Sequence, residues 1–165
     1  MFFNSFLTKK VRLVIENLAQ ENKKIAIAES CTGGLLSALF TEISGSSKVF
    51  ERGFVVYSNE AKIELIKVRV QTLEKFGAVS SEVVREMAVG AIKNSQSHIS
   101  LAITGIAGPD GGGDEKKVGL VYIAVAKKSD HDIKVSVRKF NFSGNRDQVR
   151  YSSVVAALDL LENFV

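Results

Sequence analysis

The chain has 165 residues, 45% of them apolar, with one cysteine, two histidines, one proline and a net charge of +4. That length suits one domain, residues 1–165, with a real core, and no apolar run approaches the roughly 20 residues that a membrane span needs. Cys31 alone cannot form an internal disulfide, and the start, Met1-Phe2-Phe3-Asn4-Ser5-Phe6-Leu7-Thr8-Lys9-Lys10, carries its charges after its apolar part, the reverse of a secretory leader. The expected compartment is therefore cytoplasmic. The lysines and arginines behind a pI of about 9.2 are scattered, with no arginine-rich run or nucleic-acid motif. The charge would favour an anionic small molecule, and solvated helix faces account for it equally well. Neither nucleic acid nor a membrane is an expected partner.

In chain order, Val11, Val14, Ile15 and Leu18 form a helical stripe between Thr8 and Asn22. Lys24–Glu29 reads as a strand, and Leu35, Leu36, Leu39, Phe40 and Ile43 as a helix. Ser44-Gly45-Ser46-Ser47 is a polar loop, Gly53–Ser58 a second strand, and Ser58-Asn59 the cap of a helix from Glu60 to Ile66. A short helical piece over Thr72–Phe76 closes at Gly77. Ser80 or Ser81 opens a longer helix with Val83, Val84, Met87, Ala88, Ala91 and Ile92 on one face. Ile99–Ile103 is a third strand, followed by Thr104-Gly105 and the glycine-rich stretch Gly108–Gly113.

Val118–Ala126 and Ile133–Phe142 read as two more strands around a charged turn at Asp130. Ile133, Val135 and Val137 alternate, then Phe140 and Phe142 take the opposite parity, which predicts a bulge near Arg138. Asn145 caps a long final helix carrying Val149, Val154, Ala157, Leu158, Leu161 and Phe164. The pattern predicts an α/β fold, a three-layer α/β/α sandwich on a mixed, mostly parallel sheet of about five strands.

The chemistry centres on Ala28-Glu29-Ser30-Cys31-Thr32-Gly33-Gly34, where a strand gives way to a helix. Helix-start N–H groups are unpaired at such an edge, and open α/β sheets bind ligands there. The turn suits a nucleophile, an oxyanion hole or a phosphate, and it also suits a plain N-cap by Ser30 or Thr32. Two further polar clusters, Tyr57–Lys62 and Thr104–Gly113, follow strands and converge on the same edge if those strands are parallel neighbours. Lys62 falls in the first turn of its helix, where the macrodipole disfavours a cation; with partial burial, its pKa would drop toward that of a base. It equally suits a solvated surface. Ser-Lys pairs substitute for Ser-His elsewhere, and His98 and His131 are poorly placed to serve Ser30.

Cys31 is a rival nucleophile or an ordinary buried residue. Neither histidine has a second ligand at metal spacing, so no metal is expected. Gly108–Gly113 lacks a P-loop ending, and Asp110 and Asp114 would repel a phosphate; it reads as a flexible border of the site. Arg146, after Ser143-Gly144-Asn145, could hold a phosphate together with helix-start amides, or stand exposed.

The motifs Ala28–Gly34, Gly45-Ser46-Ser47, Phe50-Glu51-Arg52-Gly53, Tyr57-Ser58-Asn59-Glu60-Ala61-Lys62, Gly77-Ala78-Val79-Ser80 and Thr104–Gly112 stand in an order that resembles the CinA C-terminal domain family, the nicotinamide-nucleotide amidohydrolases. The resemblance runs from about the first helix to the last. It implies hydrolysis of the carboxamide of nicotinamide mononucleotide to nicotinate mononucleotide and ammonia, a step that recycles pyridine nucleotides, with no cofactor. It further implies Ser30 as nucleophile, Lys62 as base, Tyr57 beside them, and Thr104 and Gly105 lining the pocket. Thr32, Gly33 and Gly34 join them as substrate-binding residues of the central turn, and Ser46, Ser47 and Arg146 are expected to hold the substrate phosphate. A homo-oligomer, a dimer first, is also implied. Many relatives carry a further N-terminal domain, for which this chain begins too close to the matched region. The alternatives are a non-catalytic nucleotide-binding module and a competence- or DNA-damage-related adaptor.

Overall fold

The computed structural model of the protein describes residues 3–164; Met1 and Phe2, at the head of the apolar start, lie outside the described residues, as does Val165. The elements run α1 (Ser5–Gln20), β1 (Ile25–Glu29), α2 (Leu35–Thr41), a 3-10 turn (Ser46–Lys48), β2 (Phe50–Val55), α3 (Asn59–Ile66), α4 (Val70–Phe76), α5 (Ser81–Lys93), β3 (Ile99–Gly105), β4 (Leu120–Lys128), β5 (Ile133–Asn141) and α6 (Arg146–Glu162). The five strands form one sheet in the order β2-β1-β3-β4-β5. β1 pairs in parallel with β2 and β3, and β4 pairs antiparallel with β3 and β5. The sheet is thus mixed, as expected; four strands point one way, although the pairings divide evenly between parallel and antiparallel.

Side-chain size sorts the two faces. Along β1, β3 and β4 the large residues Ile25, Ile27, Ile99, Leu101, Ile103, Val121, Ile123 and Val125 share one core with α1, α2 and α6. The intervening alanines, Ala26, Ala28, Ala102, Ala124 and Ala126, face the other way and share a core with Val83, Val84, Met87, Ala88 and Ala91 of α5. Small residues on that face let α5 approach the sheet closely enough for Ser100 Oγ to donate to the Ala88 carbonyl at 2.6 Å. Two covered faces leave the central strands continuously buried, with little polar alternation to mark them.

The final strand differs from expectation. β5 pairs with β4 from Ile133↔Lys128 to Asn141↔Leu120 without a register shift, so there is no bulge at Arg138. Ile133, Val135 and Val137 pack on the α5 side, while Phe140 and Phe142 pack on the α1/α6 side with their rings stacked at 5.3 Å. The change in parity reflects two partly covered faces on a straight strand.

β2 begins at Phe50 and ends at Val55, earlier at both ends than expected. Val56 N still donates to the Glu29 carbonyl at 2.8 Å, and then the chain leaves the sheet. This early departure matters for the site. Among the described residues no helix is long and apolar enough to cross a membrane.

Candidate functional site

β1, β2 and β3 run parallel, so the segments after Glu29, Val55 and Gly105 emerge at one edge of the sheet. Ser30 N donates to the Ile103 carbonyl at 3.0 Å, which fixes the residue beside the end of β3. α3 starts under the same edge, with Ser58 Oγ accepting from Ala61 N as its cap. Lys62, in the first turn of α3, is 1% exposed. Its Nζ lies 3.1 Å from Ser30 Oγ, 2.9 Å from the Val56 carbonyl, 3.0 Å from the Tyr57 carbonyl and 3.4 Å from the Ser58 carbonyl. Those carbonyls are available because β2 has already left the ladder. No carboxylate forms an ion pair with Lys62 among the described residues. Burial pushes its pKa down to about 8, with Cys31 and Glu60 opposing only weakly.

The same coordination suits a neutral amine. Two N–H bonds donate to the Val56 and Tyr57 carbonyls, and the lone pair is left to accept from the Ser30 hydroxyl. Cys31 differs sharply. Its thiol is 6% exposed, and burial pushes its pKa up to about 11, so it is a neutral, inert thiol at neutral pH.

The turn itself is organised by a residue to which the sequence reading gave no role. Glu29, fully buried at the end of β1, accepts from Gly34 N at 3.2 Å, Leu36 N at 3.1 Å, Ser37 N at 2.8 Å and Ser37 Oγ at 2.7 Å. The cap of α2 is therefore the Glu29 carboxyl group rather than Ser30 or Thr32, and the helix-start amides are taken by the protein itself. Gly33 and Gly34, with φ of +60° and +94°, supply the left-handed backbone that lets the chain curl over this carboxyl group. Among the described residues the amides of Cys31 and Thr32 are left without an acceptor. They flank Ser30.

Several other expected site residues are used differently. The Tyr57 ring is 62% exposed, and its hydroxyl accepts from Arg146 Nη2 at 3.4 Å; what Tyr57 offers Lys62 is its carbonyl. Thr104 is 1% exposed and donates its hydroxyl to the Ala78 carbonyl at 2.9 Å, tying the end of β3 to the loop before α5. Gly105 is small because β4 leaves no room: an added Cβ would stand 2.6 Å from Val121 Cγ2 and 2.8 Å from the Leu120 carbonyl oxygen. The Thr32 hydroxyl is buried without a partner among the described residues.

Arg146 reaches the site, donating through Nη1 to the Gly108 carbonyl at 2.8 Å and through Nη2 to Tyr57. The glycine-rich stretch thus borders the site through Gly108. Ser46 and Ser47 do not reach it. They precede β2, next to Val49, whose carbonyl accepts from Ile25 N at the start of β1. Ser30 follows the far end of that strand, roughly 15 Å away at 3.3 Å per residue, so within one chain these serines cannot share an anion with Arg146. A second arginine does reach the turn. Arg150 Nη2 donates to the Thr32 carbonyl at 2.9 Å, and its spacing of four residues from Arg146 on a capped helix is the signal that could have found it. Among the described residues no group of three or more His, Cys, Asp or Glu is placed to hold a metal ion.

The chain is similar to known proteins over most of its length. A CinA-like protein of Syntrophomonas wolfei subsp. wolfei is 51% identical over 144 residues, covering 87% of this chain and 34% of that protein. A CinA-like protein of Endomicrobium trichonymphae is 50% identical over 150 residues, covering 91% and 33%. The crystal structure of competence/damage inducible protein CihA from Agrobacterium tumefaciens matches with a TM-score of 0.94 at 38% identity, covering 99% of this chain and 98% of that one. The chain spans about a third of the length of the curated relatives it matches. The model of the CinA C-terminal domain matches residues 7–165, and the chain belongs to that family.

Proposed function

We propose that the chain hydrolyses the carboxamide of nicotinamide mononucleotide to nicotinate mononucleotide and ammonia, with Ser30 as nucleophile and Lys62 as general base. The observation that carries this reading is the approach of Lys62 Nζ to 3.1 Å from Ser30 Oγ inside a cage of carbonyls. A buried amine with a pKa near 8 is one of few groups able to take a serine proton near neutral pH. The word "inducible" in the Agrobacterium neighbour's name describes when a protein is made; it leaves the chemistry open.

Neutral Lys62 accepts the Ser30 proton as Oγ bonds to the amide carbon, and the carbonyl π pair moves onto oxygen. The Cys31 and Thr32 amides meet that oxyanion, a stabilisation worth about 3–4 kcal/mol per donor where it has been measured by mutation. The Lys62 ammonium then protonates the departing nitrogen as the C–N bond breaks, releasing ammonia and an acyl-Ser30 ester. Water attacks the ester with Lys62 again as base, and Ser30 leaves with its proton restored. Arg146, at the mouth of the site beside Tyr57, holds the substrate phosphate without Ser46 or Ser47.

Ammonia release from nicotinamide mononucleotide is the direct test. Ser30→Ala is expected to abolish it with the fold retained, and Cys31→Ala to keep most of it; a dead Cys31→Ala beside an active Ser30→Ala would reverse the assignment.

The pKa of Lys62 sets the pH profile. Below about pH 8 the base is increasingly protonated, so kcat/KM should rise about tenfold per pH unit and level off above pH 8. Lys62→Arg retains the charge without a usable neutral form and should lose at least about 100-fold. A flat profile, or near-normal activity of the arginine variant, would leave Lys62 a positioning role only.

Arg146→Ala should weaken nicotinamide mononucleotide by about 1.5–3 kcal/mol, the usual value of a hydrogen bond to a charged group, and leave nicotinamide riboside almost unchanged. KM measured for both substrates on both proteins closes the cycle. An equal loss on the riboside would move the phosphate elsewhere.

A further inference from the structure

Arg150 lies on α6 one turn beyond Arg146 and crosses to the central turn from another layer of the fold. Its Nη2 donates to the Thr32 carbonyl at 2.9 Å, and the same carbonyl accepts from Leu35 N at 3.2 Å. The guanidinium is held in place by burial: the side chain is half-buried, and Nε is fully enclosed with no acceptor among the described residues. The two groups that grip the turn carry opposite charge and grip different parts of it. Glu29 takes the amides of Gly34, Leu36 and Ser37, while Arg150 takes the carbonyl of Thr32. Between these two anchors stand the unclaimed amides of Cys31 and Thr32. Peptide units are planar: the Thr32 carbonyl shares its unit with the Gly33 N–H, which donates to the Ser30 carbonyl at 3.0 Å, and that carbonyl shares its own unit with the Cys31 N–H, so holding the Thr32 carbonyl restricts rotation of the turn that carries the Cys31 and Thr32 amides. The guanidinium charge is felt at the turn, where it opposes the upward push of burial and of Glu29 on the Cys31 thiol.

We propose that Arg150 is a positioning residue of the hydrolytic step, clamping the Thr32 carbonyl so that the Cys31 and Thr32 amides point at the oxyanion formed on Ser30. This rests on the Ser30–Lys62 reading. It goes beyond that reading by assigning a role to a side chain that touches neither the nucleophile nor the base. Thr32 then acts through its peptide groups, in keeping with a hydroxyl that makes no bond among the described residues.

The test compares the purified chain with Arg150→Ala and Arg150→Lys, above pH 8 where Lys62 is neutral. Two readouts are taken: steady-state hydrolysis of nicotinamide mononucleotide, and the rate at which diisopropyl fluorophosphate phosphorylates Ser30. In the second, Oγ bonds to phosphorus, fluoride leaves and Lys62 takes the proton, so the same donors serve a different electrophile. Arg150→Ala should lower kcat about 100-fold with KM within about threefold, and slow phosphorylation by a similar factor. Added guanidinium should restore at least about tenfold of the phosphorylation rate, a recovery that a merely structural role would not give. Arg150→Lys keeps the charge and loses the planar fork; it should fold by circular dichroism and lose about tenfold, and it decides the matter if the alanine variant does not fold. A rise in KM at constant kcat would make Arg150 a substrate ligand, and unchanged rates in either variant would remove it from the mechanism; both overturn the proposal. Wild-type protein that is phosphorylated at Ser30 without releasing ammonia overturns the substrate assignment and leaves Arg150 to be judged by phosphorylation. Wild-type protein that is not phosphorylated overturns the Ser30 reading, and this proposal with it.

Discussion

The burial of one amine organises this molecule. Moving the Lys62 pKa from 10.5 to about 8 corresponds to about 3 kcal/mol of lost preference for the charged form. That is a large sum against the 5–15 kcal/mol by which domains are stable. Several local features exist to hold the amine there. β2 ends at Val55 so that three successive carbonyls can turn toward Nζ, and Ser58 caps α3 so that Lys62 falls in its first turn. The helix dipole there works against a cation as well. A carboxylate in the cage would have reversed the effect, since an opposite charge nearby favours the protonated amine. The nearest strand does end in a buried carboxylate, Glu29, but its oxygens are saturated by α2. The fold thus buries an acid and a base on the two sides of Ser30 and keeps them from pairing. That separation is what leaves the buried amine without an ion pair.

The division of side-chain size across the sheet serves the same end. Large residues face α1, α2 and α6, and alanines face α5, so the parallel strands β1 and β3 are gripped on both sides and their ends are fixed relative to one another. Site groups built on such ends are held by packing instead of by loop conformation. Gly105 shows how little slack remains, because the close approach of β4 excludes even a methyl group.

Much of this was legible in the sequence. Strong periodicity marked every helix within a few residues, and a polar cluster after each of three apolar runs marked the edge where Ser30 and Lys62 meet. What escaped was set by tertiary context. The parity change at Phe140 reads as a bulge only if one face of β5 is buried, and both are partly covered. Gly45-Ser46-Ser47 looks like a phosphate loop in isolation, yet parallel pairing of β1 with β2 puts it at the opposite end of the strands from Ser30. Glu29 looked like an ordinary residue of the motif because a carboxyl group that caps the next helix leaves no periodic trace. Arg150 was hidden because its partner is the Thr32 backbone, 118 residues away in sequence, and a carbonyl has no side-chain signature.

The central claim is that Lys62 carries a neutral amine close to physiological pH. Selective isotope labelling of lysine, with Lys62→Met to assign the signal, lets NMR follow its side-chain resonances from pH 6 to 11. One lysine is expected to titrate near pH 8, and its signal to be absent from the Lys62→Met variant. If Lys62 titrated at the ordinary lysine value of 10.5 instead, the amine would be protonated throughout the working range and could not be the base for Ser30.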